Sequence, residues 1–76
     1  MNLTVYTSNS CPNCTMLKDY LTLKNVPYTE KNISDPENRK ELLSLGYLQV
    51  PVTKCNITNT CVVGFNTQAL KDLGVE

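Results

Sequence analysis

The strongest chemical signal in the chain is the segment Cys11-Pro12-Asn13-Cys14. Two thiols at that spacing close into a disulfide, supply half of a metal site, or pack as inert small side chains. Their surroundings discriminate between these outcomes. Leu3-Thr4-Val5-Tyr6-Thr7 is rich in β-formers and runs into the loop Ser8-Asn9-Ser10. Pro12 suits the first position of a helix, where a missing N–H costs nothing. The pair therefore sits where a strand hands over to a helix. A helix N-terminus offers unpaired N–H groups and a partial positive charge. Both are expected to favour a thiolate on Cys11, below the free thiol value of roughly 8.5. Cys14 lies one turn in, on the apolar stripe, and is expected to be the less exposed thiol. The chemistry expected of such a pair is thiol–disulfide exchange. Cys11 attacks a substrate disulfide, and Cys14 resolves the mixed disulfide and leaves Cys11–Cys14 oxidised.

The other chemistry-bearing residues narrow the choice. The chain has no histidine, which removes Cys/His zinc sites, Ser-His-Asp triads and Cys-His nucleophiles. A four-cysteine metal site would need Cys55 and Cys61 as its second pair. Their five-residue gap exceeds the usual gap of about two to four. No metal ligand is therefore assigned. Cys55 and Cys61 flank a turn, and a second disulfide across that hairpin is one reading. Buried or half-buried free thiols are the other.

The elements that position the pair follow from pattern. A strand is expected over 3–7 and a helix over 12–24. Cys14, Leu17 and Leu21 form the helix's buried stripe, with Met16, Tyr20 and Leu23 beside it. Asn25 and Pro27 end the helix. Residues 28–33 read as a second strand of mixed polarity. Asp35 and Pro36 open a second helix that buries Leu42, Leu43 and Leu45, with Gly46 as its left-handed stop. A third strand is expected from Val50 to about Cys55 and a fourth over 60–63, joined as a hairpin. Asn66 caps a last helix over 67–73, with Phe65 and Leu70 as its hydrophobic staple and Gly74 as its end. The order β-α-β-α-β-β-α begins with a right-handed parallel βαβ unit. It implies an α/β fold, a four-stranded mixed sheet with helices on both faces.

Composition bounds the rest. Seventy-six residues make one small domain, expected over 1–76. Seven basic residues balance seven acidic ones, so no charge excess exists to hold nucleic acid. The hydrophobic share of 41% is too high for a disordered chain. No apolar run approaches the roughly 18 residues of a membrane span. Met1-Asn2-Leu3-Thr4 begins no secretory signal, so a cytoplasmic, reducing location is expected. The Asn-x-Ser/Thr triplets at Asn2, Asn13, Asn32 and Asn56 are then chance matches rather than glycan sites.

The strand, Cys-Pro-x-Cys, helix, Val50-Pro51 entering a hairpin, and Gly64 before a last helix together resemble the glutaredoxin branch of the thioredoxin fold, over the full length. The resemblance implies a minimal thioredoxin-like fold and a cis Val50–Pro51 bond facing the cysteine pair. A cis proline there turns residue 50 so that its N–H and C=O face an extended substrate. Pro12, Asn13, Val50 and Pro51 are thus the expected substrate contacts. Tyr6, Lys18 and Tyr47 are expected supporting residues: Tyr6 beneath Cys14, Lys18 one turn after it, and Tyr47 in the loop before Val50. Asp19, Glu30, Glu37 and Glu41 read as surface charges.

Glutathione-using members resemble one another in a cation just before the first cysteine, a Thr-Val-Pro clamp and a Gly-Gly-x-Asp segment. Here Ser8-Asn9-Ser10 holds no cation, and Val63-Gly64-Phe65-Asn66 holds one glycine and no acid. Gly46-Tyr47-Leu48-Gln49-Val50-Pro51-Val52 with Gly64-Phe65 is instead similar to the NrdH-type redoxins, although Val62-Val63 stands where those have Trp-Ser. That resemblance implies a monomer with no bound cofactor, reduced by NADPH through thioredoxin reductase and serving ribonucleotide reductase. A glutathione-dependent glutaredoxin is the alternative. A metal or iron–sulfur carrier is the second alternative, disfavoured because such relatives usually keep a single cysteine.

Overall fold

A computed structural model describes residues 2–75. Its elements are β1 (Leu3–Thr7), α1 (Pro12–Leu23), β2 (Tyr28–Asn32), α2 (Pro36–Ser44), β3 (Val52–Cys55), β4 (Cys61–Val63) and α3 (Thr67–Leu73). The strands form one sheet in the order β2-β1-β3-β4. β1 and β2 are parallel, with Leu3 opposite Tyr28 and Thr7 opposite Asn32. β1 and β3 are antiparallel, with Leu3 opposite Cys55 and Tyr6 opposite Val52. β3 and β4 close the hairpin, with Lys54 opposite Cys61. This is the α/β arrangement that the element order implied.

Local chemistry sets the helix ends. Asp35 caps α2 by accepting from the Glu37 N–H at 3.0 Å, with Pro36 in the first turn. Asn66 caps α3 by accepting from the Ala69 N–H at 3.1 Å. Gly46, with φ of 92°, and Gly74, with φ of 110°, take the left-handed conformation just past α2 and α3. Asn25 does the same past α1 at φ 58°. No helix among the described residues is long and apolar enough to cross a membrane.

The sheet separates two apolar clusters. Leu3, Val5, Leu17, Leu21, Cys55, Leu70 and Val75 form one, with α1 and α3 on that face. Tyr6, Leu42 and Val52 form the other, beneath α2. Successive strand residues alternate between faces, so β1 feeds both clusters. Some expectations fail here. Met16 and Leu23 flank the α1 stripe but are 50% and 78% exposed. Leu43 is 47% exposed, and α2 buries Leu42 alone, with Leu45 just past its end packing on the same cluster. Both helices cover only one face each, so a narrow stripe suffices. β3 starts at Val52 rather than Val50, because Pro51 has no N–H for the ladder. β2 and β4 are each one residue shorter than expected.

Candidate active site

The site begins with the cap of α1. Cys11 is extended, with φ −131° and ψ 97°, and occupies the N-cap position. Its Sγ accepts from the Cys14 N–H at 3.0 Å. Its carbonyl accepts from the Thr15 N–H at 3.2 Å, which starts the helical ladder. A sulfur therefore takes the place that a Ser or Asp oxygen holds at most caps. The N–H aimed at it, with the dipole behind it, favours negative charge on that atom. Cys11 and Cys14 form a disulfide with their Cα atoms 5.2 Å apart. Cys11 is half-buried and Cys14 is 1% exposed. The outer sulfur is open to attack and the inner one is shielded. Pro12 and Asn13, between them, are exposed.

The Val50–Pro51 bond is cis. Tyr6 pairs with Val52, so one further step places Pro51 across from Thr7, where β1 enters the cysteine loop. Pro51 is buried and its carbonyl accepts from the Gly64 N–H at 2.8 Å. Val50 is half-buried, and among the described residues neither its N–H nor its C=O has a hydrogen-bond partner. Those two groups are free to pair with an extended chain. Beyond them Leu48 is 85% exposed and Val63 is 37% exposed.

Two polar clusters brace this end of the sheet. Thr7, fully buried at the end of β1, donates to Glu30 Oε2 at 2.8 Å, and Lys18 Nζ donates to the same oxygen at 3.0 Å. The Thr7 hydroxyl and then the Lys18 ammonium hold the Glu30 carboxyl below its usual range. Lys18 thus answers Glu30. Glu30, read from sequence as a plain surface charge, links β2 to β1 and α1. On the other face the Tyr6 hydroxyl donates to Glu41 Oε1 at 3.1 Å, and Lys31 Nζ donates to that oxygen at 2.7 Å. Burial and then the Glu41 carboxylate push the Tyr6 hydroxyl up to about 12. Tyr6 packs with Leu42 and Val52, so it does not lie beneath Cys14. Even-numbered residues of β1 face α2, and Cys14 belongs to the opposite face. Tyr47 packs on the Tyr6 cluster with Cys61, whose charged form would push the Tyr47 hydroxyl up.

Cys55 and Cys61 are free. The register explains it: Cys61 lies opposite Lys54 and Cys55 opposite Leu3. A one-residue offset puts the two sulfurs on opposite faces, Cys55 in the α1–α3 cluster and Cys61 against the α2 cluster. The second disulfide is therefore excluded in this fold. The Thr58 side chain and then the Thr58 and Ile57 backbone, in the turn after β3, favour the charged form of Cys55 and lower its pKa. Among the described residues no group of three or more His, Cys, Asp or Glu side chains converges on a possible metal position.

The glutaredoxin family model matches residues 3–56, from β1 through the turn after β3. The chain belongs to the glutaredoxin family. It is 34% identical over 70 residues to an uncharacterized glutaredoxin-like 8.6 kDa protein of the rubredoxin operon of Clostridium pasteurianum, covering 91% of this chain and 92% of that one. It is 35% identical to the global transcriptional regulator Spx 1 of Bacillus cereus, of whose length it spans 60%. Among solved structures, the thioredoxin-like protein BC3987 superposes with a TM-score of 0.85 at 30% identity, over 93% of this chain and 97% of that one. The glutaredoxin-like NrdH-redoxin of Escherichia coli superposes with a TM-score of 0.83 at 26% identity, over 96% and 95%. This glutaredoxin-family chain is thus a redoxin with a Cys11–Cys14 disulfide on a thioredoxin-like fold.

Proposed function

We propose that this redoxin reduces disulfides in other proteins, with Cys11 as nucleophile and Cys14 as resolving thiol. The observation that carries the reading is the asymmetry of the pair. The Cys11 sulfur is open at a helix N-terminus and holds an N–H at 3.0 Å, while the Cys14 sulfur is shielded behind it. The Cys11 thiolate attacks one sulfur of the substrate disulfide. That S–S bond breaks, and the departing sulfur takes a proton. Cys14 then loses its proton and attacks the Cys11 sulfur, releasing the second substrate thiol. The redoxin gives the substrate two electrons. Of the two protons the substrate gains, one replaces the proton that Cys14 gave up and the other comes from solvent, because Cys11 attacks as a thiolate. The free N–H and C=O of Val50 would hold the substrate strand beside the cysteines, and Pro12 and Asn13 would meet it from the helix side.

Electrons to reopen the disulfide come, on this reading, from NADPH through thioredoxin reductase, and ribonucleotide reductase is the first substrate to test. Three observations support this over glutathione. Ser8-Asn9-Ser10 offers no cation to a tripeptide carboxylate, Lys18 is committed to Glu30, and the rim carries exposed Leu48 and Val63. The Escherichia coli relative is described as having a thioredoxin-like activity profile.

The test is NADPH oxidation by a bacterial thioredoxin reductase with this protein and a model protein disulfide, without glutathione. Turnover proportional to the redoxin is expected, and its loss in Cys11→Ser. Turnover only with glutathione and glutathione reductase would make the protein a glutathione-dependent glutaredoxin. Activity retained in Cys11→Ser would overturn the mechanism.

A further inference from the structure

Thr53, in β3, is 0% exposed, and its Oγ1 has no hydrogen-bond partner among the described residues. No other buried side-chain nitrogen or oxygen among them is left in that state. A buried hydroxyl without a partner costs free energy that a valine of the same shape would avoid. A strand rich in valine could have had one. The other two buried polar residues are satisfied: Thr4 bonds Asn56, and Thr7 bonds Glu30.

The register shows what Thr53 faces. It pairs with Val5 on one side and Val62 on the other. Val5 packs with Leu17 and Leu21 of α1, whereas the neighbouring Val52 packs with Tyr6 and Leu42. Alternation therefore puts Thr53 on the α1 face. The buried stripe of α1 is Cys14, Leu17 and Leu21, and Cys14 comes first from the loop end. Thr53 is likewise the second residue of β3 from that end. Cys14, though 1% exposed, belongs to neither apolar cluster.

We propose that Thr53 is a positioning residue for Cys14, its hydroxyl taking the Cys14 sulfur as partner when the disulfide opens. The inference rests on the reading of Cys11–Cys14 as a pair that opens and closes. An incoming dithiol is oxidised to a disulfide, the Cys11–Cys14 bond breaks, and two electrons and two protons pass to the two sulfurs. Cys11 meets the N–H of its own helix. Cys14, inside, holds its proton as an S–H that donates to Thr53 Oγ1. When Cys14 gives up that proton to attack, the hydroxyl rotates and donates to the thiolate. One hydroxyl serves both states. Each reduced form then has a bond that the oxidised form lacks, so Thr53 favours the dithiol.

The experiment is the equilibrium between this protein and dithiothreitol, read by thiol trapping, for the unaltered chain, Thr53→Val and Thr53→Ser. Thr53→Val is expected to shift the equilibrium about tenfold toward the disulfide, about 30 mV in potential. Thr53→Ser is expected to stay within about twofold of the unaltered protein, because the hydroxyl is what acts. An unchanged equilibrium in Thr53→Val, or an equal shift in Thr53→Ser, overturns the proposal. A measurement on the unaltered protein covers the case of a valine variant that does not fold. In the reduced protein the Thr53 side-chain resonances should titrate together with Cys14, and resonances that stay still overturn the proposal. A disulfide that dithiothreitol fails to open in the unaltered protein would instead overturn the redox reading beneath it.

Discussion

Glu30 shows how one side chain ties the cysteine helix to the sheet. Its folded carboxyl titrates below the unfolded value of roughly 4.3, because Thr7 and Lys18 both donate to it. A carboxyl lowered on folding stabilises the fold above its unfolded pKa. That contribution is lost as pH falls through the folded pKa. Glu30→Gln is therefore expected to cost about 1 kcal/mol at neutral pH, once the half-exposed Lys18 pair is discounted for screening. The gap between variant and parent should close on acidification, as urea midpoints at neutral and strongly acidic pH would read. An equal gap at both would mean that the carboxylate charge contributes nothing. The pattern of charges in the sequence could not have shown this, because Thr7 and Glu30 meet only through the β1–β2 register.

At the scale of elements, end signals were local and therefore legible. Asp35-Pro36, Asn66 and Gly74 each act within a turn of their own helix, and each sits where its residue type directs. α3 depends most on its cap, since seven residues contribute few internal hydrogen bonds and hold the fully buried Leu70. Asn66→Ala is expected to lower stability by about 1 kcal/mol. Asn66→Ser should stay within a few tenths of the parent, because its hydroxyl can still accept from the Ala69 N–H. Urea denaturation of both variants checks this, and equal losses would show that the cap bond is not what asparagine supplies. The face that an element buries was less legible. Leu42, Leu43 and Leu45 are all leucines in one short segment, and only packing against Tyr6 and Val52 selects Leu42 within α2.

At the scale of the whole molecule, a four-stranded sheet divides a small chain into two thin cores. The α1–α3 side holds the larger cluster, of which Leu17 is a member, 0% exposed. Leu17→Ala is expected to cost about 2–5 kcal/mol. For a domain this small that is a large part of total stability. Leu43→Ala, at a position 47% exposed, should change stability by no more than about 0.5 kcal/mol. Thermal unfolding of the two oxidised variants separates them, and similar losses would mean that the sheet's two faces are wrongly assigned. The same two-sided plan leaves Leu48 and Val63 exposed, outside both cores.

Residue order alone determined the cysteine pair at a strand-to-helix join, the caps, the turns and the β-α-β-α-β-β-α sequence of elements. These depend on interactions within about four residues, which the chain cannot avoid making once it folds locally. Tertiary structure decided which face each strand residue takes, because side chains alternate and register is set by partners far away in sequence. That choice sent Tyr6 away from Cys14, set Cys55 and Cys61 on opposite faces, brought Glu30 to Thr7, and left the Thr53 hydroxyl alone on the face that Cys14 shares.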